Sequence, residues 1–326
     1  MPRHFARHEL DLLRVLREGF LEHEQRPGGG APPYWGSEDE LALYDETFGA
    51  RIGWKWDAVL DELAARARLP AGRTVLDWGC GSGIAARRYL ARTPGVERVV
   101  LWDHSHAARA FAAERVQAEF PAVAVETELT GAAPDVLLVS HVLGELALEG
   151  REPLLEAARS AGAVLWVEPG SRASSRALGA MREALRATHA VLAPCPHQER
   201  CGALTGDAWC HFFARPAPEA FTTGPWGELS RELGIDLRSL PYSFLVLARR
   251  AAELPASPSV RLLGRPRLTR GRAQLTICRA EGVEEVDFLQ RTDKRLFKEL
   301  EDVAGTPWIF AATIEDGRIT RLERDI

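Results

Sequence analysis

The chain has 326 residues, 46% of them hydrophobic, enough to bury the core of one large domain plus a smaller one. A net charge of −5 excludes a polycation, so any nucleic-acid contact must come from a local basic patch. Five cysteines are too few for a disulfide scaffold, no apolar run is long enough to span a bilayer, and the N-terminal stretch lacks a signal-peptide core; a cytoplasmic protein with no membrane contact, and a monomer, is the expectation.

Leu10 to Glu24 carries apolar residues at helical spacing and predicts an amphipathic helix, which RPGGGAPPYWGS then breaks. Ser37 with Glu40 has the spacing of a capping box, and a helical run with a break near Gly53 continues to Arg68. Residues 1–70 therefore read as an N-terminal helical segment: a cap over the core, a lid or a partner-binding layer. From Arg73 strands and helices alternate, as in a mostly parallel sheet. Strands are expected over Arg98 to Asp103, Val123 to Glu126, Asp135 to Ser140, Ala163 to Glu168 and Phe244 to Ala248, with helices over Ala107 to Phe120, Pro153 to Ser160 and Ser171 to Thr188. This assigns residues 71–250 to an α/β domain with a Rossmann-like sheet.

The first strand ends at Asp77, and Gly79, Gly81 and Gly83 follow in a tight turn around Cys80. Glycines there let the backbone approach a ligand that a side chain would block, at the edge where open α/β sheets bind ligands. G-x-G-x-x-G is not met, and the lack of a Walker lysine excludes a P-loop. D-x-G-x-G-x-G after a hydrophobic strand resembles motif I of the class I S-adenosylmethionine methyltransferases. Asp103 closes the second strand, twenty residues past Gly83, where a ribose-binding acid belongs. Asp77, Gly79, Cys80, Gly81, Gly83 and Asp103 are thus the candidate cofactor residues. After strand four the sequence is SHVLGEL, with neither the Asn/Asp-Pro-Pro-aromatic pattern of amino-group methyltransferases nor a cysteine nucleophile. His141 and Glu145 are the acid–base candidates, or a helix-start pair with structural roles.

An insertion over about 189–215 carries C-P-H-x3-C-x8-C-H-F, three cysteines within sixteen residues of polar loop. In a reducing compartment such thiols are more often metal ligands than disulfides. Cys195, Cys201 and Cys210 with His197 or His211 would make a Cys3His zinc site, although the gap of five residues is poor for a zinc knuckle. An iron–sulfur cluster draws its fourth thiolate from afar, from Cys278 or Cys80.

After the Pro/Ala linker Ala251 to Pro258, residues 251–326 read as a small β-rich domain carrying Cys278, with strands at Ala273 to Arg279 and Val283 to Gln290 and a charged helix at Asp293 to Val303. Arg261, Arg265, Arg267, Arg270 and Arg272 place five arginines in twelve residues, a pattern suited to RNA phosphates or to a solvated edge strand.

LDWGCGSG, SHVLGEL after strand four, VEPG at strand five, CPH, the second cysteine six residues on, and WCHF together resemble the methyltransferase-like assembly factors of the mitochondrial small ribosomal subunit and their bacterial relatives. The resemblance runs from the N-terminal helices to Cys278. It implies a class I methyltransferase fold, S-adenosylmethionine, a [4Fe–4S] cluster on Cys195, Cys201, Cys210 and Cys278, and binding to the small ribosomal subunit and its rRNA in support of assembly and translation. Two functions stay open: an RNA-binding assembly factor that keeps a cofactor site, and an active rRNA methyltransferase of the small subunit. A zinc-containing small-molecule methyltransferase is the third reading.

Overall fold

The computed structural model describes residues 4–25, 37–147, 150–222, 224–250 and 259–324. The expected break at 26–36 and linker at 251–258 lie outside these residues.

Three helices precede the sheet: α1 (Arg7–Gln25), α2 (Glu38–Tyr44) and α3 (Ala50–Ala65), the last two joined by a π turn at Asp45–Gly49. Ser37 caps α2 by accepting the amide of Glu40 at 3.2 Å. The break expected near Gly53 is absent. Gly53 sits inside α3 because Arg88 packs against it, so that a Cβ there would lie 2.8 Å from the Arg88 Nε. Trp56, Val59, Leu60 and Leu63 of α3 are fully buried in the main core.

The sheet is built from β1 (Thr74–Trp78), β2 (Arg98–Trp102), β3 (Ala124–Glu126), β4 (Val136–Ser140), β5 (Ala163–Pro169), β6 (His189–Ala193), β7 (Phe212–Phe213) and β8 (Pro241–Arg249). The helices between them are α4 (Ile84–Leu90), α5 (His106–Glu119), α6 (Arg151–Ser160), α7 (Arg172–Leu185), α8 (Glu219–Thr222) and α9 (Gly224–Leu233). The strand order is β3-β2-β1-β4-β5-β8-β6, with β1 to β5 parallel and β8 antiparallel to both of its neighbours. A parallel sheet closed by one reversed strand inserted next to the edge is the class I methyltransferase order. Its central strands are covered on both faces and are almost wholly apolar, as parallel sheets require. β6 lies where the sequence suggested only an insertion: His189–Ala193 pairs with β8, and the cysteine loop begins after it.

The C-terminal part is β9 (Ser259–Thr269), β10 (Arg272–Arg279), β11 (Gly282–Leu289), α10 (Lys294–Glu299), β12 (Ile309–Glu315) and β13 (Arg318–Arg324). These five strands close into a barrel in the order β10-β11-β13-β12-β9 around Leu275, Ile277, Phe288 and Phe310. The barrel docks on the sheet domain through Arg261. This residue was expected on an exposed RNA-binding strand; instead it is 2% exposed, forms a two-pronged ion pair with Glu62 of α3 at 2.5 and 2.9 Å, and lies over the Phe212 ring at 4.3 Å. The first half of β9 faces the sheet domain, and a guanidinium can be buried there because a fork of donors meets a carboxylate.

Candidate functional site

The turn after β1 has the geometry its glycines imply. Gly79, Gly81 and Gly83 have φ of 74°, 51° and 74°, conformations that glycine adopts without cost. At Gly79 a Cβ would also lie 2.7 Å from Val142. The amides of Gly79 and Cys80 both donate to the Trp102 carbonyl at the end of β2, which holds the loop against the second strand. Asp77 is fully buried and accepts the amide of Ala86 in the first turn of α4 at 3.1 Å. Burial raises its carboxyl to about 7, and Asp103 adds to the shift. Asp103 accepts from Gly81 N at 3.0 Å and Ser105 N at 2.9 Å, so this acid fastens the glycine loop to the start of α5.

Above this loop lies a cavity of about 430 Å³, a volume suited to a small-molecule cofactor. Gly79, Cys80, Gly81, Asp103, His141 and Glu145 all line it, so the loop, the second-strand acid and the strand-four candidates share one site. Asp77 and Gly83 support the loop from behind. The segment after β4 is a set of turns, and His141 is in the left-handed region with φ 58°. Its Nε2 lies 3.0 Å from the Lys55 ammonium and its Nδ1 3.4 Å from Ser140 Oγ. Burial, then Lys55, holds the imidazole well below its ordinary pKa, so it is neutral and Nε2 accepts from Lys55. Burial pushes Glu145 up to about 8, with Asp103 and Glu168 adding to it.

Among the lining residues that escaped the sequence reading, three carry ionisable groups of note. Glu168, at the carboxyl end of β5, has no exposed surface; one oxygen accepts from the amides of Val142 and Leu143 and from the Trp166 indole. Burial raises its carboxyl to about 7. Arg51 and Lys55 come from α3, one turn apart, and with Tyr44 and Phe48 they make the N-terminal helices a wall of the cavity. Their signal was the i, i+4 spacing of two cations on an otherwise buried helix.

The cysteine loop forms a separate site. Cys195, Cys201 and Cys210 line a second, small cavity with Arg182 and Leu245. Cys278 reaches the same place from β10, and burial, then Cys195 and Cys201, raises its thiol. Cys210 is raised by burial and then by Cys195, Cys278 and Cys201. Cys278 and Cys210 thus feel the other thiols of the group, while Arg182 and Arg261 act in the opposite direction. Cys80 stays in the glycine loop. The loop backbone is held from two sides. The Cys210 carbonyl accepts from Ser175 and Ser243 hydroxyls, each at 2.7 Å. Arg182 of α7, 2% exposed, donates to the Glu199 carbonyl at 2.6 Å, and Glu183 accepts the Cys201 amide at 3.0 Å. His197 Nε2 lies 3.4 Å from the Cys278 sulfur, while His211 stacks on Trp209. Among the described residues no group of three or more His, Cys, Asp or Glu is arranged to hold a metal ion.

The remaining arginines of the basic stretch do not form one patch. Arg265 is exposed and stacks over Phe213 at 4.1 Å. Arg267 pairs with Glu285 and Arg272 with Asp287, whereas Arg270 is exposed with no ion pair among the described residues.

The sequence matches the family model described as Mitochondrial small ribosomal subunit Rsm22 over residues 52–304. The chain belongs to this family. The matched span holds the glycine loop, the small cavity, most of the lining of the larger one, all four clustered cysteines and the barrel as far as α10. No curated protein matches the sequence. Among solved structures, a protein described as an RNA methyltransferase of Pyrococcus horikoshii is similar at 11% identity and a TM-score of 0.39, over 72% of this chain and 96% of that one. A Streptococcus pneumoniae protein, described as a tRNA (m1A22) methyltransferase in complex with S-adenosylmethionine, is similar at 14% identity and a TM-score of 0.35, over 60% and 74%. The family member described here is thus a methyltransferase-like protein linked to the small ribosomal subunit. No helix among the described residues is long and apolar enough to cross a membrane.

Proposed function

We propose that this protein binds S-adenosylmethionine in the 430 Å³ cavity, holds an iron–sulfur cluster on Cys195, Cys201, Cys210 and Cys278, and works in the cytoplasm as a monomer on the small ribosomal subunit and its rRNA. The observation that carries the reading is the meeting of the glycine loop, Asp103 and the cavity in a chain of this family. Asp103 would take the ribose hydroxyls and the loop amides the rest of the nucleoside. Glu145 and Glu168, both displaced toward the neutral form by burial, suit an occupant with a positive centre that restores their charge. S-adenosylmethionine supplies such a centre, and with it an electrophilic methyl group. His141 is neutral, but its Nε2 lone pair is engaged by Lys55, which speaks for a positioning role and for assembly rather than methyl transfer.

Four thiols drawn together from the loop after β6 and from β10 are the donor set that a thiolate-ligated cluster uses, and this supports the reading. The fit for zinc rests on His197, which approaches Cys278.

Anaerobically purified protein, incubated with small ribosomal subunits and labelled S-adenosylmethionine, tests the proposal. It should carry iron and acid-labile sulfide and sediment with the subunits. Label transferred to rRNA would favour the active enzyme. Zinc without iron or sulfide, together with no sedimentation, would leave the small-molecule methyltransferase.

A further inference from the structure

The C-terminal barrel has a specific connectivity. Three antiparallel strands, β9 to β11, run in sequence; α10 follows; β12 then returns to pair with β9, and β13 pairs in parallel with β11. A five-stranded barrel of order 1-2-3-5-4-1 with its helix between strands three and four is the oligonucleotide/oligosaccharide-binding arrangement. In that arrangement ligands lie across strands two and three, here β10 and β11, flanked by the loops between strands one and two and between strands four and five.

The two ends of the β10–β11 hairpin differ. Its turn end, with Cys278 and Gly282, packs on the cysteine loop: a Cβ on Gly202 would lie 2.7 Å from the Gly282 backbone. The opposite end gathers three segments. The β9–β10 turn meets the segment after β11 through a bond from Gln290 N to Gly271 O at 3.0 Å, and the β12–β13 turn reaches β11 through Asp287 N to Gly317 O at 2.9 Å. Each segment presents an exposed arginine with no ion pair among the described residues: Arg270, Arg291 and Arg318. The nearby acids are largely engaged. Asp287 pairs with Arg272, and Asp293 caps α10 by accepting the Leu296 amide. Glu315 and Asp316 remain exposed beside Arg318. Phe288, the one aromatic of β10 and β11, is fully buried in the barrel core, so bases find no stacking platform on the outer face.

We propose that this end of the barrel is a single-stranded RNA site that grips the phosphate backbone through Arg270, Arg291 and Arg318, with little regard to base identity. The proposal rests on the small-subunit rRNA reading and locates the contact at the loop end of the barrel, away from the docked Arg261 and the neutralised Arg267. Guanidinium groups bind phosphates as planar forks, and a single strand lying across β10 and β11 would meet Arg270 and Arg291 from one side and Arg318 from the other.

The test is fluorescence anisotropy with the full chain, prepared anaerobically, and a labelled oligouridylate of about twelve nucleotides, within the site size of such a barrel, across a salt series. A duplex RNA of equal length is the competitor. R270E/R291E should weaken single-strand binding by about tenfold or more and flatten the log–log salt slope by about 1.4, two contacts at about 0.7 each. R231E, a reversal at an exposed position of α9, should change neither. Wild-type affinity and slope in the double variant would overturn the site. Equal or tighter binding of duplex would overturn the single-strand assignment. Failure of the wild type to bind either RNA would instead sink the rRNA reading itself.

Discussion

Cys278→Ser is expected to strip the protein of iron and sulfide and to loosen the barrel. Three of the proposed ligands sit in one loop and the fourth on β10, beyond a strand whose Arg261 faces Cys278 in register. A metal site that does not exist in the unfolded chain contributes its binding energy to folding, on the order of 10 kcal/mol in small structural sites. Metal and sulfide analysis should fall to background in the variant. Hydrogen exchange should rise along β10 and β11 while β1 and β4 stay protected. Cys80→Ser, in the glycine loop, should keep its iron. Retention of iron and sulfide by the Cys278 variant would remove this residue from the ligand set.

The second large effect belongs to the buried ion pair. Arg261→Met leaves the Glu62 carboxylate buried with only Arg66, at 3.2 Å, to answer it. Removing one partner of such a pair costs about 3–5 kcal/mol, because the orphaned charge is worse than the lost attraction. Replacing both residues, as Glu62→Leu with Arg261→Met, should recover most of that loss. Urea unfolding reads both. A single variant within about 1 kcal/mol of wild type would mean that the pair does not clamp the barrel to α3.

The motif turn was legible because its signal is local: three glycines at fixed spacing and an acid at the next strand end are enough to specify the backbone, and Gly79, Gly81 and Gly83 take positive φ as such a turn demands. That the three cysteines of the insertion line one small cavity was legible from the sequence, since three thiols close together in a polar loop are poorly placed for core packing. Arg261 was misread for a physical reason. An arginine in a basic run looks solvated until its partner is known, and Glu62 lies 199 residues away on another element. Barrel closure was hidden in the same way: β11 with β13 and β9 with β12 are non-local pairings that period-2 patterning does not specify. β6 was hidden by its neighbours, a short apolar strand running directly into the proline- and cysteine-rich loop. Lys55 and Arg51 were missed because α3 precedes the sheet, and only the packed structure turns its polar edge toward the cavity.

The cofactor cavity is the centre of the account, and calorimetric titration of S-adenosylmethionine into anaerobically prepared protein tests it most directly. The wild type should bind one equivalent. Asp103→Ala should bind about tenfold to a hundredfold more weakly, the loss of charge-assisted bonds worth about 1.5–3 kcal/mol. Asp103→Asn, which keeps one acceptor oxygen for the Gly81 or the Ser105 amide but not for both, should also be weakened. Absence of binding heat, and of any thermal stabilisation, when S-adenosylmethionine is added to the folded wild type would contradict the assignment of this cavity.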